Sequence, residues 1–190
     1  MFASDSQSLR KVTSSNFHVG PDMNTSLTVR RLAGEQAALY RELRIAALRE
    51  APYAFGTTLS EALAEDEETL DALVQQLAQS DQRAGFVLYT EGQPAGLVGA
   101  YFEEAPEHRS FLRALWVAPA VRHLRGGELL VSAATRWLIE HGSTLVYAWV
   151  TDANVNAMQF YQRLGFTPSG DRQTLPSNPY EWETLLVKAV

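Results

Sequence analysis

The chain has 190 residues, 46% hydrophobic and 20% charged, with a formal net charge of −6 and no cysteine. That balance suits one globular domain with a sizeable core, and the missing thiols exclude disulfides, thiolate nucleophiles and Cys-ligated metals and point to a reducing cytoplasm. The acidic charge argues against nucleic acid or anionic membrane as partner, and no apolar run approaches the ~20 residues that span a bilayer. Residues 1–24 are rich in Ser and Asn without periodicity and read as a weakly ordered extension. Met23 stands just before the first strand pattern and offers an alternative start; residues 25–190 form the single domain. Alternation over 27–32 predicts a strand, and Leu39, Leu43, Ala46 and Ala47 at helical spacing predict a helix over 35–49. Pro52 ends it, and P-Y-A-F-G over 52–56 reads as a loop before a second helix carrying Leu70, Leu73, Val74 and Leu77.

Segments 86–90 and 95–102, joined by E-G-Q-P, predict an antiparallel hairpin, followed by a strand over 111–117. A helix over 126–141 is expected from Leu129, Leu130, Ala133, Ala134, Trp137 and Leu138, with Gly142 to stop it. A strand over 145–150, a helix over 154–164 closed by Gly165 and a strand over 182–187 complete the order, with room for a short extra strand near 169–175. The predicted fold is α/β, a mixed, mostly antiparallel sheet flanked by helices on both faces.

Two segments carry chemistry. L-W-V-A-P-A-V-R-H-L-R-G-G over 115–127 is a buried strand running into a basic turn and a helix start. Free amides and the helix dipole make such a start a natural seat for a pyrophosphate, and Arg122 and Arg125 add full charges. The same residues also suit an ordinary strand-to-helix turn with solvated arginines. Neither G-x-x-x-x-G-K-[ST] nor G-x-G-x-x-G is present. Downstream, Asn154 is placed to cap a helix, Tyr161 follows seven residues later on the same face, Gly165 allows a left-handed stop, and Phe166 can plug the core.

The two segments resemble the GNAT acetyltransferase superfamily. Its pyrophosphate segment runs V-x-P-x-x-R-G-x-G-x-G, and Val117, Pro119, Arg122 and Gly127 fall in register, while His123 and Arg125 stand where the pattern has its first two glycines. Its later signature N-x-x-A-x-x-x-Y-x-x-x-G-F is met by Asn154, Ala157, Tyr161, Gly165 and Phe166. The resemblance covers nearly everything but the tail. It implies a GNAT acyl-CoA fold and acetyl-coenzyme A as co-substrate, lying in a splay between the hairpin strands and the strand after them. The residues implied to hold it are Leu115, Trp116, Val117, Arg122, Leu124, Arg125, Gly126, Gly127, Glu128, Asn154, Ala157 and Tyr161. Arg125, in a glycine position, would carry about 1–2 kcal/mol of strain if its φ is positive, and its side chain must swing outward. A preorganised backbone donor at the thioester oxygen would supply roughly 2.7–4 kcal/mol.

Tyr161 is the implied acid for the departing thiolate. A phenol near pKa ~10 sits uphill of a thiol near ~8.5, so strong hydrogen bonding precedes full transfer. For the base, Glu104 and His108 are candidates beside the acceptor side, with ordered water the family's other route. Glu103, Glu104 and Glu107 also suit a solvated turn, and Asp152 a turn or cap. Tyr53 and Phe55 are expected to wall the acceptor pocket, with Phe55 alternatively a core plug. The histidines lack metal-ligand spacing, so no metal is expected. The expected acceptor is a small-molecule amine, with a peptide α-amine or lysine and a non-catalytic acetyl-coenzyme A sensor as competing readings. A homodimer through the late strands stays open.

Overall fold

A computed structural model describes residues 26–104 and 107–190. The expectations for residues 1–24, including the Met23 start, lie outside the described residues. The elements in order are β1 (Leu27–Arg31), α1 (Ala37–Glu50), a 3₁₀ turn (Pro52–Ala54), α2 (Leu59–Ala64), α3 (Glu67–Gln79), β2 (Arg83–Thr90), β3 (Gln93–Phe102) and β4 (Ser110–Val117). A second 3₁₀ turn (Pro119–Leu124) leads to α4 (Gly126–Glu140), β5 (Leu145–Thr151), α5 (Val155–Arg163), β6 (Thr167–Leu175) and β7 (Asn178–Ala189).

The predicted order holds, with two differences. Residues 57–66 contain a separate helix, α2, fixed by a reciprocal cap in which Thr58 and Glu61 satisfy each other's backbone amides. The room left for a short strand is filled by a nine-residue β6, which pairs with a long β7 and builds an arm at the sheet edge. The sheet order is β1-β2-β3-β4-β5-β7-β6. Every neighbouring pair is antiparallel except β4 and β5, which α4 joins as a parallel crossover.

The core is double. Leu130, Ala134 and Leu138 of α4, with Tyr161 of α5 and Phe166 after it, cover one face of the sheet. Leu43, Ala47 and Leu48 of α1 with Leu70, Val74 and Leu77 of α3 cover the other. β2, buried on both faces, is therefore apolar without alternation, as its G-F-V-L run shows. Gly126 lets α4 descend onto β2, since a Cβ there would lie 2.4 Å from Leu88 Cδ2.

The opening in the sheet comes from one extra residue. Leu97 faces Trp116 and Gly99 faces Arg113, so one residue of β3 opposes two of β4, and Ala114 takes φ +51 to absorb the insertion. β4 pairs with β5 only from Ser110 opposite Val146 to Leu112 opposite Ala148. Beyond the bulge the two strands part, and residues 114–117 present backbone groups that β5 does not use. Gly96 keeps β3 close across the bulge: a Cβ there would lie 2.7 Å from the Trp116 carbonyl oxygen and 3.3 Å from Val117 Cα. Gly96→Ala is expected to destabilise the protein by about 1–3 kcal/mol through overpacking against backbone. A lowered denaturant midpoint together with weaker coenzyme A binding is the expected result; unchanged values for both would show that β4 is not held by this contact.

Candidate active site

The parted strands open into a cleft of about 460 Å³. Its floor is Leu115, Trp116 and Val117, one wall is the start of α4 with Gly127 and Glu128, and the other is α5 with Asn154, Ala157 and Phe160. Tyr53 and Phe55 of the loop after α1 close its end, and Arg122, Arg125 and Arg163 stand around it. The structure thus brings together eleven of the residues the motifs singled out. Leu124 and Gly126 lie beside the cleft without lining it: Leu124 ends the 3₁₀ turn, and Gly126 is buried against Leu88. The splay lies between β4 and β5, on the far side of β4 from the hairpin, because the bulge frees β4 from β5 while β3 stays paired.

The α4 start is built around Arg125. It is the residue before the helix, with φ 62 and ψ 21, so the left-handed conformation a glycine would adopt is carried by a side-chain-bearing residue. Its carbonyl accepts from the amides of Glu128 and Leu129, and the amides of Gly126 and Gly127 have no carbonyl partner among the described residues. Gly127 lies close to the Phe160 ring, and a Cβ there would come within 3.2 Å of it. Those amides and the helix dipole suit a diphosphate.

The cations of the cleft are partly compensated. Arg125 donates through Nε to Glu128 Oε1 at 3.0 Å and through its terminal nitrogen to Oε2, so its outward swing ends on a carboxylate of its own helix. That bond holds the Glu128 carboxyl below its ordinary range and raises the guanidinium. Arg122 donates to the Val117 carbonyl at 2.9 Å and to Glu50, which also accepts from Trp116 Nε1 at 3.1 Å. The Arg122 bond chiefly lowers the Glu50 carboxyl. Three guanidinium groups against Glu50 and Glu128 leave the cleft at +1, in a chain whose total is −6.

Asn154 caps α5 by accepting from the Ala157 amide at 3.1 Å, and Gly165 closes that helix at φ +87. Tyr161 is buried at 5% exposure, its ring edge-on to Phe160 and Phe166. Burial pushes its phenol far above the ordinary value. Phe160, and not Tyr161, forms the cleft surface at that level.

A second cavity of about 310 Å³ meets the first at Ala54 and Phe55, which line both. It lies on the α1 side of the sheet and holds Arg44, Tyr101, Arg113, Trp149, Gln173 and Glu183 among its walls. Phe55, 6% exposed, is pocket wall and core plug at once. The β6–β7 arm closes over it: Ser177 donates to the Phe55 carbonyl at 2.6 Å, and Pro176 packs on Gly56. Glu183 is buried at 6% exposure and accepts from Gln173 Nε2 at 3.0 Å. Desolvation raises its carboxyl above the usual range. Its cross-strand neighbour Thr151 is also buried, with an unpartnered hydroxyl.

Glu104 and His108 line neither of these cavities. Glu104 stands at the mouth of a separate trench under α1 and α3, and His108 in a shallow depression with His141. Glu103, just after β3, is held by Arg109 at 2.9 Å. Glu183 lies outside both motifs, although the sequence marks it: it shares a sheet face with Leu185 and Val187, a carboxylate in an apolar row.

A family model described as the acetyltransferase (GNAT) family matches residues 44–166. The chain belongs to this family. With it come acetyltransferase activity and acetyl-coenzyme A as the acetyl donor. Similar solved structures include a GNAT-family acetyltransferase from Streptococcus pneumoniae, 20% identical, covering 87% of this chain and 100% of its own, with a TM-score of 0.72. YncA from Salmonella typhimurium with acetyl-coenzyme A is 16% identical over 87% of this chain and 94% of its own, with a TM-score of 0.70. The PaiA N-acetyltransferase of Thermoplasma acidophilum with coenzyme A is 15% identical over 87% and 99%, with a TM-score of 0.59. At these identities the likeness is one of fold. No curated protein sequence matches the chain.

The residues of the cleft fit the donor, since free amides, a helix start and a net positive wall stand together at one end. Glu128 sets its charge against the diphosphate that end would hold. Glu128→Gln is expected to tighten coenzyme A binding by about three- to ten-fold at low salt, with the gain fading as added salt screens the site. Titration calorimetry at two ionic strengths checks this; weaker binding in the variant would mean that Glu128 holds Arg125 in its binding position.

Proposed function

We propose that the protein transfers acetyl from acetyl-coenzyme A to the primary amine of a small molecule by direct attack within a ternary complex. The observation that carries this reading is the meeting of two cavities of different chemistry at the splay: one with free amides and arginines, the other with a desolvated carboxylate. Two reactants entering from opposite faces need no covalent enzyme intermediate, and proximity supplies much of the rate. The tie between Ser177 and Phe55 narrows the acceptor side, which favours a small amine over a peptide chain. A cytoplasmic location belongs to the same proposal; among the described residues no helix is long and apolar enough to cross a membrane.

Leu115, Trp116 and Val117 supply backbone groups that hold the donor's arm, and an amide there stabilises negative charge developing on the thioester oxygen. Arg122, Arg125, Gly126, Gly127 and Glu128 form the diphosphate end, with Leu124 shaping the turn, and Asn154 and Ala157 flank the arm. Tyr53 and Phe55 wall the acceptor. The amine nitrogen bonds the acetyl carbon as the carbon–sulfur bond breaks. An alkylammonium near pKa ~10.4 must first lose a proton. Glu183 takes it, its raised pKa making it a stronger base than a solvated carboxylate. Glu104 and His108 do not line the acceptor cavity, and the base role is therefore given to Glu183.

Tyr161 serves the leaving thiolate from beneath Phe160, through the small part of it that burial leaves exposed. With its phenol pushed up by burial, a full proton transfer is more uphill than for a solvated tyrosine, so its contribution is a hydrogen bond strengthening as charge builds on sulfur. Tyr161→Phe is expected to lower kcat about 10- to 100-fold with little change in KM for acetyl-coenzyme A; an unchanged kcat would remove Tyr161 from the mechanism.

Glu183 allows a test with two opposite readouts. Its folded pKa lies above its unfolded value, so the native state binds the proton more tightly, and the resulting stability, present at low pH, is lost as pH rises through the raised pKa. At neutral pH, above its unfolded value, the raised pKa makes the group a net cost to folding. Glu183→Gln, which can still accept from Gln173, is expected to raise the melting temperature at pH 7 by about 2–4 °C. The gain should vanish below about pH 4.3, where both side chains are neutral. Turnover should fall by about 100-fold or more, and the acidic limb of the wild-type rate profile should disappear. A variant with full activity would transfer the base role to water.

A further inference from the structure

The acceptor cavity carries more positive charge than an amine-binding site calls for. Arg44 of α1 and Arg113 of β4 line it with Glu183, which leaves it at +1 before any substrate enters. Among the described residues, ion pairs engage Arg109, Arg122, Arg125, Arg172 and His141, and neither Arg44 nor Arg113 takes part in one. Carboxylates are near but not paired with them: Glu103 is committed to Arg109, and Glu104 lines the adjoining trench that Arg113 also borders. Arg113 is exposed at the cavity, but its side chain is steadied. Its stem runs over Gly99, where a Cβ would stand 3.0 Å from Arg113 Cγ, and its guanidinium lies 5.8 Å from the Tyr101 ring centre. Neither arginine borders the donor cleft, so the diphosphate does not account for them.

We propose that the acceptor carries a small anionic group besides its amine, and that Arg44 and Arg113 grip that group while the ammonium meets Glu183. A simple cation entering this cavity would face two uncompensated guanidinium groups. A zwitterion places its negative end on them and its positive end on the carboxylate, and planar guanidinium forks suit carboxylate or phosphonate oxygens. Trp149 and Tyr101 supply apolar walls for the body between the two ends. This inference rests on the acetyltransferase reading above and names the substrate class of the same site.

The test uses the full chain with acetyl-coenzyme A and three matched amines: phenylalanine, phenethylamine and 1-amino-2-phenylethylphosphonate, with free thiol as readout. At least one anionic amine is expected to exceed phenethylamine in kcat/KM by about ten-fold or more, and the comparison of carboxylate with phosphonate shows which anion is preferred. Arg44→Gln and Arg113→Gln should each shrink the preference while leaving coenzyme A affinity unchanged, which also confirms folding; Arg113→Lys should restore part of it. Phenethylamine turned over as fast as both anionic amines, or a preference untouched in both glutamine variants, would overturn the proposal. If no amine releases thiol, the proposed transfer to a small-molecule amine fails, and titration of phenylalanine into the coenzyme A-saturated protein decides this one. Binding lost in Arg113→Gln upholds it, and no binding to wild type overturns it.

Discussion

Everything at the site depends on β4 leaving β5 after Leu112 and Ala148. A parallel pair in the middle of a sheet would normally run on, because unpaired backbone groups away from water are costly. Here the inserted residue at Ala114 turns the strand, at about 1–2 kcal/mol for positive φ in a residue with a Cβ. The surrounding structure over-determines it. β3 pairs with β4 on both sides of the bulge, Gly96 allows the backbones to close, and the apolar faces of Val117 and Trp116 are buried in opposite cores. Strain held in this way leaves polar backbone facing a cleft, where a ligand's amides can pair with it.

The same economy shapes the helix start. A glycine at 125 would adopt the left-handed turn at no steric cost, yet the chain places an arginine there and anchors it on Glu128. Arg122 is likewise tied to Glu50, and through it to Trp116 on the cleft floor. These ties orient the guanidinium groups before any ligand arrives, lowering the ordering cost of binding, while the carboxylates reduce the net field a diphosphate meets. The site trades charge for preorganisation.

What the sequence revealed follows from how local each signal is. The α5 motif is read within thirteen residues, and its parts work locally: Asn154 caps, Gly165 stops, Phe166 plugs. The helix α2 was equally local, in the Thr58 and Glu61 box, but the acidic run beside it hid the boundary. The β4 bulge is unreadable because Ala114 carries no mark of positive φ; only the register against β3 exposes it. The candidate base is illegible in the sequence for a geometric reason. Glu104 and His108 lie near the strands that precede the site in the chain, whereas Glu183 reaches the cavity because β7 inserts beside β5, seventy-nine residues after Glu104 in sequence but next to the splay in the sheet. Gly126 reads as a phosphate contact from the sequence, and the fold adds a second demand on it, close packing on Leu88.

Charge acts here on two length scales. At a distance the chain is an anion of −6, which disfavours the approach of a polyanionic donor and favours cations. Screening limits that field to about 8 Å at physiological ionic strength, so once a ligand reaches the splay only the nearest groups matter. Both cavities are then positive, by one unit each, although the protein is acidic. Overall charge therefore governs encounter and solubility, and the choice of ligand passes to a few arginines and to two buried groups, Glu183 and Tyr161, whose pKa values burial moves upward together. That shared shift is what a proton-transfer pair at neutral pH needs of its carboxylate and not of its phenol. In the proposed reaction the amine's proton therefore goes to a carboxylate more basic than a solvated one, while the thiolate leaves with hydrogen-bonding help and takes its proton late.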